Sequence, residues 1–101
     1  MSEQTPTFNE IVEENFSTLD LYTTAITRAH GDNHPEAFEV RELFEIMNQK
    51  VKETDTELNL DEEFAKLRTV TDNYRVPEDV CDTYAGVYNM LSEADKAYHA
   101  Q

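Results

Sequence analysis

The stretch VCDTYAGVYNMLSEADKAY, residues 80–98, carries the most regular hydrophobic pattern of the sequence. Its inward positions recur at steps of 4, 3, 4, 3 and 4 residues and are Val80, Tyr84, Val87, Leu91, Ala94 and Tyr98. This spacing places them on one face of an α-helix, because each helical turn takes about 3.6 residues. Pro77 and the acidic residues after it are typical of a first turn, so we predict a helix over 77–99. Gly86 inside the helix costs about 1 kcal/mol relative to alanine, which predicts a close approach of another helix.

Three further segments have the same helical spacing. Residues 8–30 follow a capping box formed by Thr7 and Glu10, and Gly31 is expected to end this helix in the left-handed conformation. Asn33 is the expected N-cap of a helix over residues 34–53, and Asn59 is the expected N-cap at the start of a helix over residues 59–74. The polar stretch 53–57 between them is a predicted connection. We expect these helices to bury, in chain order, Phe8, Ile11, Val12, Phe16, Leu19, Tyr22, Ile26, Ala29, Ala37, Val40, Leu43, Phe44, Ile46, Met47, Val51, Leu60, Phe64, Leu67 and Val70 or Thr71.

The length and composition favour one small helical domain. The chain has 101 residues with only 2 glycines and 3 prolines, so few positions break a helix. Four amphipathic helices with short connections are typical of an antiparallel bundle. We therefore predict a single all-α domain over residues 1–101, an antiparallel up-down four-helix bundle.

The charge excludes several classes of partner. Eight Lys and Arg stand against 22 Asp and Glu, for a net charge of −14, so we expect no nucleic acid and no anionic membrane as partner. No apolar run approaches the roughly 20 residues that span a bilayer. The start of the chain lacks the pattern of a signal peptide, and the single cysteine cannot form an internal disulfide. These features predict a cytoplasmic protein.

Three histidines are the candidates for metal binding. His30 ends the first predicted helix, where interaction with the helix dipole is the alternative explanation. Gly31 breaks the helix between His30 and His34, so the two do not share a helical face, and His34 is expected to be exposed. Asp95 and His99 lie four residues apart near the C-terminal end and form a weaker candidate pair.

No residue pattern supports catalysis. Cys81 falls in the predicted first turn of the fourth helix, where the helix dipole activates a thiol, but its neighbours Glu78, Asp79 and Asp82 oppose this effect. A half-buried packing thiol is the simpler explanation. Residues 55–61 alternate oxygen ligands but lack the glycine of a calcium loop. We predict that the protein is not an enzyme.

Two stretches together resemble a known family. They are AHGDNHPE (29–36) with VRELF (40–44), and LRTVTDNY (67–74) with PEDVCDTY (77–84) and VY (87–88). In this order they resemble the hemerythrin-like C-terminal domain of the iron–sulfur cluster repair di-iron proteins, over residues 8–100 with a gap in the middle. The resemblance implies a four-helix bundle that holds two irons through histidines and two bridging carboxylates. It also implies a role in repairing clusters damaged by oxidative or nitrosative stress.

Most ligands of that family are missing here. His30 falls on a ligand histidine of the family. The region TDTEL (54–58) has lost a His-x-x-x-Glu pair, the third helix's histidine falls near Glu57, and a final His-x-x-x-Glu would begin at Gln101. His99 stands two residues too early, about 200° around a helix. The resemblance therefore implies a shortened relative with at most weak iron binding at His30 and no other cofactor.

Two functions follow from these observations. The first is a non-catalytic, stress-linked relative of the repair proteins with a degenerate metal site at His30. The alternative is a metal-free protein-interaction module or homodimer. An inward-facing His30 beside two carboxylates favours the first, and an exposed ring favours the second.

Overall fold

The structure, a computed structural model, describes residues 7–53 and 58–100. It contains four α-helices: α1 (Phe8–His30), α2 (Glu36–Glu53), α3 (Asp61–Val70) and α4 (Asp82–His99). No strand occurs in these two ranges, so the all-α prediction is confirmed for them. The predicted connection after Glu53, with Glu57, lies outside the described residues, as do the first six residues and Gln101.

The first helix begins as its sequence predicts. The amide of Thr7 donates to Oε1 of Glu10 at 2.9 Å, and the amide of Glu10 donates to Oγ1 of Thr7 at 3.2 Å. This reciprocal capping box satisfies two amides that have no partner within the helix.

The predicted left-handed conformation of Gly31 is wrong. Its φ and ψ are −56° and −33°, because the chain continues in a right-handed turn and the His34 amide donates to the His30 carbonyl at 2.7 Å. Glycine is needed there for space instead. A Cβ at this position would collide with the Thr27 carbonyl oxygen and lie 2.6 Å from the Phe38 ring.

The second and third helices begin later than predicted. The second begins at Glu36 rather than residue 34. The N-cap of α3 is Leu60, which makes no side-chain cap, and not Asn59. Asn59 instead accepts from the Asp61 amide at 3.0 Å, and the Leu60 amide donates to the hydroxyl of Tyr98 at 2.9 Å. The Asn59 side chain thus still satisfies an amide at the start of α3, and a contact with α4 satisfies a second one.

The third helix also ends earlier than the predicted residue 74. Asp72, Asn73 and Tyr74 have φ values of 55°, 60° and 64°, in the left-handed region that stops a right-handed helix. The Thr71 hydroxyl donates to the Leu67 carbonyl at 2.6 Å and accepts from the Tyr74 amide at 2.8 Å. The spacing of apolar residues carries no information about this turn, so the predicted helix extends beyond the observed end at Val70.

Two predictions about the fourth helix are wrong. Residues 77–81 are not helical, and α4 begins only at Asp82. Cys81 is the N-cap, with an extended backbone (φ −83°, ψ 173°) and no side-chain hydrogen bond to the helix. Within residues 7–53 and 58–100, Gly86 marks no close helix approach either, because a Cβ there would meet only the Cε of Met90, at 4.0 Å.

One hydrophobic cluster draws residues from all four helices. Contrary to prediction, Ala29 is exposed and Ile46 is 41% exposed. Thr23 is buried in α1, where its hydroxyl donates to the Asp20 carbonyl and accepts from Arg41. The core consists of Phe8, Ile11, Phe16, Leu19, Ile26, Ala37, Val40, Leu43, Phe44, Met47, Leu60, Phe64, Leu67, Tyr84, Val87, Tyr88, Leu91, Ala94 and Ala97.

Helix α1 packs against both α2 and α4, and α2 packs against α3. The ring of Phe8 lies 5.4 Å from that of Tyr98, measured between centroids.

None of the helices within the described ranges has the length and apolar character needed to cross a membrane.

Candidate functional site

His30 lies where the end of α1 meets the start of α4. Its Nε2 is 3.4 Å from Sγ of Cys81, and its ring packs edge-on against Tyr84 with centroids 5.4 Å apart. The imidazole is half-buried. The packing of α1 on α4 therefore brings together two residues, His30 and Cys81, that the sequence suggested only separately.

His34 is not the exposed residue that the sequence predicted, since its side chain is only 15% exposed. Nδ1 lies 3.0 Å from Oε2 of Glu36, and Nε2 lies 2.9 Å from Oδ1 of Asp79. The hydrogen bond to Glu36, followed by the bond to Asp79, raises the pKa of His34. The hydrogen bond between His34 and Asp79 also lowers the pKa of Asp79. This pair of contacts ties the α1–α2 turn to the segment that precedes α4.

These residues do not fit a di-iron centre. His30 faces a thiol, and the carboxylates of Glu36 and Asp79 are bonded to His34. Two irons need several convergent histidine and carboxylate donors. Among residues 7–53 and 58–100, no group of three or more His, Cys, Asp or Glu side chains is arranged to hold a metal ion. Iron binding at His30 stays a prediction.

Cys81 is exposed rather than half-buried, so the expected packing thiol is wrong. The N-cap position lifts its side chain off the inward face of α4, because the helix begins only at Asp82.

Asp95 is the centre of a polar cluster of which the sequence predicted only the Asp95–His99 pair. It is 6% exposed and accepts from Arg68 Nε at 2.8 Å and Nη2 at 3.0 Å, and from the Tyr74 hydroxyl at 2.7 Å. Nδ1 of His99 lies 2.8 Å from Oδ1. The predicted Asp95–His99 pair is thus brought together, but Arg68 and Tyr74 share the same carboxylate. The cluster ties α3 and the turn after it to α4.

Burial and hydrogen bonding act in opposite directions on the Asp95 carboxyl. Burial alone would raise its pKa, but the hydrogen bonds from Arg68 and then Tyr74 outweigh it, and the net effect lowers the pKa. For Tyr74, burial and the bond to Asp95 both raise the pKa. Only opposite charges on two predicted helices could have signalled the Arg68–Asp95 pair, and such pairs are numerous in this sequence.

A surface groove of about 490 Å³ runs between α2 and α3. Its apolar side chains include Leu43 and Ile46 of α2 and Val70 of α3. The charged side chains that line it are Glu39, Glu42, Glu62 and Lys66. No cavity was predicted there. The exposure of Ile46, which the helical spacing assigned to the core, is the feature that opens the apolar strip to solvent.

No protein-family model matches this chain, and no curated protein or solved structure is significantly similar to it. The resemblance to the iron–sulfur cluster repair proteins therefore stays a prediction.

Proposed function

We propose that the protein is a non-catalytic, metal-free interaction module that binds a protein partner in the cytoplasm. The groove between α2 and α3, which is lined by apolar side chains together with three glutamates and one lysine, is the observation that carries this proposal. A mixed apolar and charged surface of this kind suits recognition of another protein, because apolar contact supplies affinity and charge selects the partner.

We further propose an antiparallel up-down, hemerythrin-like arrangement of the four helices. Contacts between opposite helix ends support it. Phe8 at the start of α1 packs on Tyr98 at the end of α4, and His30 at the end of α1 contacts Cys81 at the start of α4. Asp61 at the start of α3 lies 3.4 Å from His99 at the end of α4.

The content of the core supports a role in binding over one in metal chemistry. The inward faces of α1, α2 and α4 hold fully buried aliphatic and aromatic side chains such as Leu19, Met47 and Leu91. Polar ligands buried at such positions would need partners or a metal to offset their desolvation. Close-packed apolar side chains stabilise the fold without either.

A stress-linked relative of the repair proteins with a degenerate iron site is the second candidate. The contact between His30 and Cys81 favours it, because both residues belong to the stretches that carry the family resemblance. Imidazole and thiolate are good ligands for several transition metals. Two donors alone give weak binding.

Metal analysis after anaerobic loading with ferrous iron separates the two candidates. We expect less than one iron per chain, with no change in the His30→Ala variant. Two tightly held irons would overturn the metal-free proposal, and partial loading that His30→Ala abolishes would favour the second candidate.

Partner capture tests the interaction itself. The immobilised chain should retain a basic protein from its own cytoplasm at low salt and release it at high salt, because screening weakens contacts between exposed charges. Capture that is insensitive to salt, or retention of nothing, would contradict the proposal.

A further inference from the structure

The groove is built from one face of α2 and one face of α3. Glu39, Glu42, Leu43 and Ile46 recur on α2 at steps of 3, 1 and 3 residues, which places them on the same side of the helix. From Glu39 to Ile46 they cover eight residues, and the seven rises of 1.5 Å between them give roughly 10 Å. The groove is thus long enough to accept about two turns of a helix.

The groove offers apolar contact. Leu43 is 8% exposed and closes the inner side, whereas Ile46 leaves 41% of its surface in water. Val70, at the end of α3, is half-buried on the opposite wall. Covering these side chains would remove apolar surface from water, which favours association by about 25 cal/mol for each Å².

The lining of the groove carries an excess of negative charge, with three glutamates and one lysine. Glu39 and Glu42 are exposed, and neither has a cationic side chain within ion-pair distance in the described part of the chain. Glu62 lies 3.4 Å from Lys66 of its own helix. The charges of that pair cancel, so the two glutamates of α2 make the groove negative.

We infer that the groove between α2 and α3 binds an amphipathic helix with basic flanks, supplied by the protein partner. The inference rests on the proposed function and deepens it. Apolar anchors at i, i+3 or i+4 and i+7 of the partner would cover Leu43, Ile46 and Val70, as in other helix-in-groove complexes. Lysine or arginine beside these anchors would meet Glu39 and Glu42.

A second copy of this chain is the poorer occupant. Each chain carries a net charge of −14, and the groove itself is acidic, so two copies repel one another as they approach. A basic helix is attracted by the same field. Charge complementarity therefore selects the partner.

A synthetic peptide pair tests the inference directly. One labelled peptide carries leucines at i, i+3 and i+7 with lysine at its exposed positions, and its matched counterpart carries glutamate in place of lysine. We expect fluorescence anisotropy to show saturable, salt-sensitive binding of the basic peptide only. Amide shifts in the NMR spectrum of the protein should cluster in residues 39–46 and 62–70.

Two matched variant pairs assign the site. Glu42→Lys should weaken binding about tenfold or more, whereas Glu13→Lys on α1, which changes the net charge equally, should weaken it by about twofold at most. Ile46→Gln should weaken binding similarly, in contrast to Leu21→Gln at an exposed apolar position of α1. Circular dichroism confirms that each variant keeps its helix content.

Several outcomes would overturn the inference. In the peptide titrations they are an equal loss of affinity in Glu42→Lys and Glu13→Lys, equal binding of the acidic peptide, and no binding of the basic peptide at millimolar concentration. In the NMR spectrum, the contrary outcome is a cluster of amide shifts outside the groove. In sedimentation, it is a dimer that Ile46→Gln dissociates. Cellular capture separates this failure from that of the proposed function. If wild type and Glu42→Lys retain the same basic protein equally, the groove is not the binding site. The captured protein would still support an interaction module.

Discussion

At the residue scale, Asp95 shows how this small protein accommodates a charge inside its fold. The guanidinium of Arg68 and the hydroxyl of Tyr74 both donate to its carboxylate, so the cost of burial is offset by charge-assisted hydrogen bonds. Removing the carboxylate leaves Arg68 and Tyr74 without their acceptor, although the partly exposed guanidinium regains water.

We expect Asp95→Ala to lower the free energy of unfolding by about 1–3 kcal/mol and Tyr74→Phe by about 1 kcal/mol. Urea unfolding followed by circular dichroism measures both. Glu93→Ala, an exposed position on the same helix, serves as control and should change stability by less than about 0.5 kcal/mol. Equal effects of Asp95→Ala and Glu93→Ala would contradict the role of the cluster.

The same carboxylate predicts a loss of stability in acid. Because the pKa of Asp95 is lower in the folded chain, its contribution is present above the ordinary value of 3.8 and disappears as pH falls through the folded value. The Asp95→Ala variant should therefore lose less stability than wild type in that acidic window.

His34 predicts a pH dependence of opposite sign. Its pKa is raised above 6.5 in the folded chain, so the contribution of its contacts is fully present below pH 6.5 and is lost as pH rises through the folded value. Urea midpoints of wild type should fall across this range, and His34→Gln should show a smaller fall. Asp79→Asn, which removes one carboxylate partner, should lie between them, and an unchanged slope in His34→Gln would refute this account.

At the scale of the helices, hydrophobic spacing predicted the number of elements and most of the buried positions. It also predicted the last residues of α1, α2 and α4. It did not predict where α2, α3 and α4 begin or where α3 ends, because those points depend on backbone turns and distant partners. The hydroxyl of Tyr98 meets the Leu60 amide 38 residues away, and three left-handed residues stop α3 at a place that periodicity cannot mark. The Arg68–Asp95 ion pair was not predicted for the same reason, since its members are 27 residues apart in the sequence.

The two glycines give a matched test at this scale. Gly86 is helical and has room for a methyl group, so Gly86→Ala should raise the free energy of unfolding by about 0.5–1 kcal/mol. Gly31→Ala should lower it, because the new Cβ would collide with the Thr27 carbonyl. Thermal and urea unfolding measure both, and destabilisation by Gly86→Ala would restore the idea of a close helix approach there.

At the scale of the whole molecule, charge is the dominant feature. The 22 acidic side chains outnumber the basic ones by 14, and folding brings them closer together. The resulting repulsion opposes the compact state, whereas the ion pairs such as Lys50–Glu63 act locally.

We expect the urea midpoint to rise with sodium chloride, because the screening length falls from about 30 Å at 0.01 M to about 3 Å at 1 M. Glu13→Lys removes two units of the excess negative charge and should reduce this salt dependence. A midpoint that falls with salt would show that attractive ion pairs, and not net repulsion, govern the stability of this protein.

Tyr84 and Tyr88, two core residues whose ring centroids lie 5.0 Å apart, have a consequence for ultraviolet spectroscopy. The chain contains no tryptophan, and burial raises the pKa of Tyr84, Tyr88 and Tyr74 above the ordinary value of 10.0. Phenolate absorbance from these three rings should consequently emerge at a higher pH than that of an exposed tyrosine, or when the chain opens. The protein thus carries its own optical indicator of unfolding, with no dye or engineered chromophore.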